Sequence, residues 1–350
     1  MGYRVGIIGK FGANENWCDG QTVKTKNLMM LLERAGDVSI VKADTCYFKR
    51  NNLKLLLDTL RCMFTCKHIF LMVSVNGMRF YLPFLYYMNK VMRRSIYHYV
   101  IGSELLDMVS KDRKLVKYLN ALDANWFEYE SGTCYLKSKG VKNVSTLSNF
   151  KLLDPVPEAK PYFSADNAYR FCTFSRVMEE KGITDAIEAI RQINEEHDRA
   201  VARLDIYGQI EKQYEDKFRQ LINENREYVA YKGVAESSRS VDVLKDYYAL
   251  LFPTKWVGEG VPGTLIDSFA AGIPVIASDW NANGEIIQHN RQGLLYPNDG
   301  MLTLKDAVDW AIHHPEAMHQ MRFVSREAYV KYMPDTILKV IHDEMRKKEL

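Results

Sequence analysis

Short runs of β-branched and aliphatic residues alternate along the chain with longer segments in which apolar residues recur at helical spacing. This alternation is typical of parallel β-sheets that helices cover on both faces. Helices are expected in the intervals between the strands. In the first half of the chain we expect six strands, near Arg4–Ile8, Val38–Val41, His68–Val73, Ser95–Ile101, Trp126–Tyr129 and Val144–Thr146.

The alternation lapses between Ser148 and Ser164. Pro155, Pro157 and Pro161 prevent regular strand pairing there and stiffen the backbone, so we predict a domain linker. After the linker the pattern resumes, and beyond the last strand it is helical almost to the end of the chain. The second series of strands is expected near Tyr169–Phe174, Leu204–Tyr207, Val229–Lys232, Ala249–Phe252, Pro274–Ala277 and Gly293–Tyr296.

The length of 350 residues exceeds what one hydrophobic core normally organises, so two α/β domains are expected. We predict a first domain over residues 1–154, a second over residues 155–333, and a C-terminal helix over residues 334–350 that could pack back onto the first domain. Hydrophobic residues at 47% and charged residues at 26% exclude a disordered chain.

No stretch approaches the roughly 18 apolar residues that a membrane-spanning helix needs, and the N-terminal segment lacks the pattern of a signal peptide. We therefore expect a cytoplasmic protein. Its six cysteines are scattered without a C-x-x-C pair or zinc-type spacing to histidines. They indicate reduced and mostly buried thiols.

The net charge of +3 hides an uneven distribution. Residues 1–150 hold 22 Lys and Arg against 12 Asp and Glu, or +10, which leaves −7 for the rest of the chain. A basic half indicates an anionic partner. The segment RFYLPFLYYMNKVMRR, Arg79–Arg94, combines aromatic side chains with a basic end, so we predict peripheral contact with an anionic membrane surface rather than with nucleic acid. A helix buried against its own sheet is the alternative explanation for this segment.

The segment EGVPGTLIDSFAAGIPVIASDW begins at Glu259 and joins two acids to a glycine-containing turn, a helix and a buried strand. The first free amides of the helix, those of Gly263, Thr264 and Leu265, are predicted to bind phosphate. Asp267, about one turn further, could accept hydrogen bonds from two ribose hydroxyls. A capped helix with two solvent-facing acids is the alternative.

The spacing of Glu259 and Asp267 resembles the E-x7-E motif of retaining glycosyltransferases of family 4, which have the GT-B fold. The resemblance implies two Rossmann-like domains that face each other across a cleft, the first for the acceptor and the second for the nucleotide-sugar. It assigns the hydroxyls of the donor sugar to Glu259 and the ribose to Asp267. The chain has Asp where the family has Glu, and the shorter carboxylate can still bridge two hydroxyls.

The segment FSRVMEEKGI follows the first strand of the second domain. By the same resemblance Arg176 and Lys181 grip the donor diphosphate. A departing nucleoside diphosphate gains negative charge that a cation must stabilise. Because no D-x-D pair indicates a bound divalent metal, we expect these side chains to supply the charge and no metal or other cofactor to take part. Two surface cations at the start of a helix are the alternative.

The segment GIIGKFGANENWCDGQTVKTKNL follows the first strand. Ile7 stands where a G-x-G-x-x-G dinucleotide fingerprint requires glycine, which weakens a nicotinamide-binding interpretation. The resemblance implies that Gly12 lies opposite the donor phosphates. The polar residues that come next are assigned to the acceptor side, and they are Asp19, Gly20, Gln21 and Thr22. A plain turn before a helix would explain these four residues equally well.

Many enzymes of family 4 have a catalytic-site histidine after the fourth strand, whereas this chain reads YHYVIGSELL. His98 falls within the strand, so we predict an internal histidine with its hydrogen bonds satisfied. Gly102 and Glu104 are assigned to the lining of the acceptor side.

The resemblance implies a retaining transferase that moves a sugar from a nucleotide diphosphate, UDP being the commonest, to a lipid-linked or polysaccharide acceptor. Synthesis of capsule, exopolysaccharide or O-antigen is the expected setting, and no protein nucleophile is required. A nucleotide-sugar 2-epimerase of the same fold and a nonenzymatic sugar-binding scaffold remain open. A nicotinamide dehydrogenase is disfavoured by Ile7.

Overall fold

The structure is a computed structural model that describes residues 3–13, 19–36, 38–48, 50–162, 168–197 and 199–347. Cys18, the last two residues of the predicted linker and the last three residues of the predicted C-terminal helix lie outside the described residues. Among the described residues, no helix combines the length and the apolar character that crossing a bilayer requires.

Twelve strands form two parallel sheets within the described part of the chain. Each predicted strand is present with its ends shifted by at most a few residues. The strands are β1 (Tyr3–Gly9), β2 (Val38–Asp44), β3 (His68–Met72), β4 (Ser95–Tyr99), β5 (Ala124–Phe127), β6 (Val144–Thr146), β7 (Tyr169–Phe174), β8 (Ala202–Tyr207), β9 (Val229–Gly233), β10 (Ala249–Phe252), β11 (Val275–Ser278) and β12 (Gly293–Tyr296).

Helices connect the strands and cover both sheets, as the alternating pattern predicts. They are α1 (Gly20–Arg34), α2 (Asn52–Thr65), α3 (Val75–Met92), α4 (Glu104–Lys111), α5 (Lys114–Leu119), α6 (Glu130–Ser138), α7 (Ile183–Glu196), α8 (Glu215–Glu224), α9 (Ser240–Leu244), α10 (Gly263–Ala270), α11 (Asn283–Ile286), α12 (Leu304–His313), α13 (Pro315–Ala328) and α14 (Pro334–Arg346).

The chain divides into two compact units, and the division is not a single cut. Unit 1 contains Met1–Leu152, Gly258–Val261 and Tyr332–Leu350. Unit 2 contains Leu153–Val257 and Pro262–Lys331. These limits fall two residues before the predicted boundaries at 154 and 333. The sequence did not predict that the four residues Gly258–Val261, here called the strap, belong to unit 1.

Unit 1 is built on a six-stranded sheet of order β2-β1-β3-β4-β5-β6. In the core Tyr97 stacks on Trp126, with ring centroids 5.5 Å apart. Helix α14 adds Ile337 and Ile341 to this core, because residues spaced by four form one apolar stripe along a helix. The last helix therefore packs with unit 1.

Unit 2 is built on a second six-stranded sheet, of order β12-β11-β10-β7-β8-β9. Its central strands are apolar and buried on both faces, as parallel strands covered by helices must be. Helix α7 presents Ile183, Ile187 and Ile190 to the core at helical spacing, and α12 packs beside it. The predicted fold class, two Rossmann-like α/β units, is confirmed.

Candidate functional site

The strand order of unit 2 identifies where a ligand is expected. The chain runs from β7 outward to β8 and β9 and then returns to place β10 on the other side of β7. Ligands of open parallel sheets bind beyond the carboxyl ends of the strands at such a reversal. The loops after β7 and β10 therefore frame the candidate site, and both carry residues that the sequence singled out.

The loop after β7 holds Arg176 in place through its backbone. Val177 donates a hydrogen bond to the Gln209 carbonyl at 2.9 Å. Gly208 has a φ of +140°, and a Cβ there would overlap the Ser175 carbonyl, so only glycine allows this close approach. The Arg176 side chain is exposed at the surface of unit 2.

The Arg176 guanidinium lies 5.4 Å from the centre of the Trp256 ring in the loop after β10. This is the range of a cation–π contact. Trp256 in turn accepts a hydrogen bond on its carbonyl from the Trp280 indole at 2.8 Å. Nothing in the sequence distinguished Trp256, because an isolated tryptophan in a loop has no pattern to read.

Lys181 lies at the end of a short 3-10 turn, Glu179–Lys181, and is only 8% exposed. Its ammonium is 5.6 Å from the centre of the Phe252 ring, the last residue of β10. Gly182 follows with a φ of +70°, and a Cβ there would overlap the Pro253 carbonyl. Lys181 therefore contacts the last residue of β10 and Arg176 the loop that follows it, which brings the two predicted cations to one edge of unit 2.

Helix α10 begins at Gly263 at the same edge of the sheet, after Pro262 as its N-cap. The Leu265 amide donates to the Pro262 carbonyl at 3.1 Å, which corrects the expectation that this amide is free. Within the described residues, the Gly263 and Thr264 amides have no acceptor, and the buried Thr264 hydroxyl has no hydrogen-bond partner. Unpaired donors at a helix N-terminus suit an anion.

Asp267 lies in the second turn of α10 and is only 2% exposed. One of its carboxylate oxygens accepts a hydrogen bond from the Ser240 hydroxyl at 2.7 Å, at the start of α9. This contact fixes the orientation of the carboxylate. Sequence analysis missed Ser240, since a serine among other polar loop residues carries no signal of its own.

Glu259 belongs to the strap in unit 1 and is 8% exposed. The strap is held at Val261, whose amide donates to Glu128 at 2.7 Å and whose carbonyl accepts from the Asn149 side chain at 2.9 Å. Glu128 forms a buried ion pair with Lys24 of α1, with 2.5 Å between nitrogen and oxygen. Neither Glu128 nor Lys24 was predicted as a site residue.

The loop after β1 is shaped by the carboxylate that ends β2. Asp44 accepts hydrogen bonds from the Phe11 and Ala13 amides at 2.9 and 2.8 Å. Gly12 between them has a φ of +96°, which favours glycine. This loop lies at the reversal of the unit 1 sheet between β1 and β3, so the position of Gly12 suits a ligand-facing loop.

The residues assigned to the acceptor side begin helix α1. Asp19 is the N-cap and accepts hydrogen bonds from the amide and the hydroxyl of Thr22, at 3.2 and 2.8 Å. Gly20 is the first residue of the helix, and Gln21 donates to the Met72 carbonyl at 3.3 Å. Thr22 is fully buried. Its hydroxyl is engaged with the N-cap of the helix, and its assignment to the acceptor side stays a prediction.

Asp19 also pairs with Lys10, with 2.8 Å between the charged atoms. Burial alone would raise the pKa of Asp19, but its hydrogen bonds with Lys10 and Thr22 lower it below the usual value. The carboxylate is therefore charged at neutral pH.

The loop after β4 contacts the strap. Gly102 has a φ of +75°, and a Cβ there would approach the Gly258 carbonyl to 3.5 Å. Glu104 is the exposed first residue of α4. His98 is fully buried, and burial first, with the Lys24 ammonium adding to it, lowers its pKa to about 4.

The predicted internal position of His98 agrees with this burial. One ring nitrogen lies 3.2 Å from the Asn125 side-chain oxygen. The other has no partner among the described residues, so the expectation that both are satisfied is wrong.

One group of side chains in the described part of the chain could hold a metal ion. His197, Asp309 and His313 bring their ligand atoms within 4.8 Å of one another. They lie at the ends of α7 and α12, remote from the carboxyl ends of the unit 2 strands. The group does not include any residue assigned to the donor.

Parts of this chain are similar in sequence to known proteins. Residues 158–327 match the family "Glycosyl transferases group 1". The amylovoran biosynthesis glycosyltransferase AmsK of Erwinia amylovora is 30% identical over 131 residues, which are 37% of this chain and 32% of that protein. The chain thus spans about a third of this relative.

Solved structures share the fold over almost the whole chain. Anabaena Alr3699/HepE in complex with UDP has a TM-score of 0.72 at 12% identity, over 99% of this chain and 100% of that one. The lipopolysaccharide outer core galactosyltransferase WaaB has a TM-score of 0.66 at 15% identity, over 99% of each chain. At these identities the solved structures show a shared fold, the two-sheet α/β architecture described above. Residues 158–327, just under half of the chain, are similar to the group 1 glycosyl transferases.

Proposed function

We propose that this protein is a retaining, metal-independent glycosyltransferase that moves a sugar from a nucleotide diphosphate to an acceptor in surface polysaccharide synthesis. The observation that carries the proposal is the edge of unit 2 where Lys181 contacts the end of β10, Arg176 contacts the loop after β10, and helix α10 begins. Two cations and the free donors of Gly263 and Thr264 make an anion site without a metal.

Each group at this edge has a role that its chemistry supports. Arg176 and Lys181 stabilise the charge that the diphosphate gains as the glycosidic bond breaks, and the start of α10 adds to their effect. Asp267, oriented by Ser240, binds the ribose hydroxyls. Glu259 binds hydroxyls of the donor sugar. In a front-face reaction the leaving phosphate oxygen takes the acceptor proton, so no protein nucleophile is needed.

The proposed nucleotide and acceptor follow from what similar proteins bind or are named for. HepE, which shares the fold, has been crystallised with UDP, which favours UDP as the donor nucleotide. AmsK is named for amylovoran biosynthesis and WaaB for the lipopolysaccharide outer core, which favours a lipid-linked or polysaccharide acceptor.

Contact with an anionic membrane is supported by the surface of α2 and α3. The two helices adjoin, since the Thr59 and Tyr81 hydroxyls lie 3.1 Å apart. Basic residues flank the exposed apolar ones in both helices, in the half of the chain that carries +10. This apolar patch consists of Leu53, Leu56, Leu57, Phe64, Phe80, Tyr87 and Val91.

A thermal-shift panel with UDP, GDP, ADP and dTDP tests the donor class, and sugars of the stabilising nucleotide are then assayed with lipid-linked acceptors. We expect one nucleotide to raise Tm, transfer to persist in EDTA, and NMR to show the donor's α configuration in the product. An inverted product contradicts the retaining mechanism, and loss of transfer in EDTA contradicts metal independence. An epimerised donor without acceptor would instead indicate a 2-epimerase.

A further inference from the structure

The strap, Gly258–Val261, carries Glu259 and packs with unit 1, although the residues on both sides of it belong to unit 2. Loop backbone of this kind keeps one conformation only if its polar groups are bound. The last residue of the strap meets this condition through two partners, Glu128 on its amide and Asn149 on its carbonyl. Glu128 comes directly after β5, and Asn149 follows β6.

The strap packs tightly against the Glu128 carboxylate. A Cβ on Gly260 would overlap the same Glu128 carboxylate oxygen that accepts from Val261. That Cβ would also lie 3.6 Å from the Gly102 Cα, so the strap and the loop after β4 approach through their glycines. The Glu128 carboxylate therefore determines both the hydrogen bond and the distance at which the strap packs.

Glu128 is itself fixed by charge. It is 6% exposed and pairs with Lys24, which is 3% exposed. The Lys24 ammonium also donates to the Val100 carbonyl at 2.7 Å and lies 3.7 Å from the centre of the Tyr99 ring. Burial lowers the pKa of Lys24, and the Glu128 carboxylate opposes this shift.

A buried ion pair of this kind adds little stability over apolar residues of the same volume, because both charges lose their hydration. The effect of the ion pair is instead to fix the orientation of the Glu128 carboxylate. The oxygen of Glu128 that does not bind Lys24 is directed to the strap, so the ion pair orients a charged acceptor toward the Val261 amide.

We propose that the Lys24–Glu128 ion pair positions the strap and thereby holds Glu259 for contact with the donor sugar. Lys24 and Glu128 are positioning residues, and they act on the reaction only through the strap. The inference rests on the proposed role of Glu259. It adds two residues that are 104 positions apart in sequence to the determinants of turnover.

The test compares Glu128→Gln, Lys24→Met and the double variant with the same changes in an exposed ion pair, Glu344→Gln and Lys347→Met. We expect each buried single variant to lower kcat about 10- to 100-fold, since small misplacement of a group in the site has effects of this size. The Kd of UDP alone should change less than about twofold, because the side chains and amides proposed to bind the diphosphate belong to unit 2. The exposed variants should match the wild type.

Coupling between the two residues gives a second readout. In Lys24→Met/Glu128→Gln the amide oxygen of the new Gln can still accept from Val261, and no unpaired ammonium remains. The double variant should therefore be more active than the product of the two single losses predicts. Strictly multiplicative losses would overturn the proposal, as would single variants with wild-type kcat.

Misfolding is controlled by Gly260→Ala, which displaces the strap and keeps both charges. It should lower kcat to a similar degree, with UDP binding intact. Equal loss of kcat and UDP affinity in all three single variants would overturn positioning in favour of general destabilisation.

The Glu259→Ala variant distinguishes failure of the proposed function from failure of the positioning inference. If it retains full transfer, the role of Glu259 in the proposed function fails. If it loses transfer while Glu128→Gln does not, only the positioning inference fails.

Discussion

At the scale of single residues, the proposed function depends on charges held at defined positions. Arg176 is exposed beside Trp256, whereas Lys181 is buried beside Phe252. The two cations therefore differ in how much water surrounds them. A buried ammonium interacts more strongly with an incoming phosphate, because the local dielectric constant is lower.

Removing either cation should slow transfer. We expect Arg176→Ala and Lys181→Ala to lower kcat/KM by at least about tenfold, with the larger loss for Lys181, since charge-stabilising groups act mainly in the transition state. Arg219→Ala, on the exposed surface of α8, is the matched control. Steady-state kinetics measure the effect, and wild-type rates in both site variants would contradict the assigned roles.

The lowered pKa of His98 makes the stability of the folded protein depend on pH. Burial lowers its folded-state pKa to about 4, so between about pH 6.5 and 4 the unfolded chain binds a proton that the native protein does not. Stability contributed by this residue is complete above pH 6.5 and decreases as the pH falls.

We expect His98 to account for about 2 kcal/mol of the stability lost between pH 7 and pH 5. Urea unfolding at the two pH values, for the wild type and for His98→Gln, measures this part. The variant should lose less stability on acidification than the wild type. An equal loss in both proteins would show that His98 is not the group responsible.

At the scale of elements, helix α10 combines the clearest sequence signal with an unusual local feature, the buried and unpaired Thr264 hydroxyl. An unpaired buried polar group destabilises a protein unless a ligand satisfies it. A ligand at the start of α10 is therefore expected to supply the hydrogen-bond partner that the Thr264 hydroxyl lacks.

Thr264→Val should have opposite effects on stability and on binding. Because it removes the unpaired hydroxyl, it should leave the ligand-free protein as stable or up to about 1 kcal/mol more stable. It should also weaken UDP binding several-fold, as calorimetry would measure. Thr173→Val, at another buried unpaired hydroxyl, should affect stability alone. Stronger UDP binding by Thr264→Val would contradict a phosphate site at α10.

The elements themselves could be predicted because local pattern determines them. Strands such as Ala249–Phe252 and Gly293–Tyr296 begin and end where expected. Short, continuous apolar runs between polar turns are typical of strands that are buried on both faces of a parallel sheet. The strap could not be predicted, because its membership in unit 1 depends on Glu128, more than a hundred residues earlier. The burial of Thr22 could not be predicted either, since capping a helix and facing a ligand leave the same sequence signal.

At the scale of the whole molecule, the two sheets separate the proposed tasks, and charge divides in the same way. Residues 1–150 carry +10 and the rest carries −7. The basic half also holds the exposed apolar patch of α2 and α3. A basic surface with exposed apolar side chains suits an anionic bilayer.

The membrane proposal predicts binding to vesicles that contain anionic lipid at low salt and release as salt rises, because the attraction is screened. Replacing Leu57 and Phe64 by Ser should weaken cosedimentation several-fold. Val340→Ser, at an exposed apolar residue of α14, is the control. Equal binding to neutral and anionic vesicles would contradict the proposed contact.

The central claim is that one diphosphate is bound by Arg176, Lys181 and the start of α10. A crystal structure of the full chain with UDP tests it most directly. The account predicts that the diphosphate lies within hydrogen-bond distance of both cationic side chains and of the Gly263 and Thr264 amides. A diphosphate bound elsewhere, or contacted by only one of these groups, would contradict it.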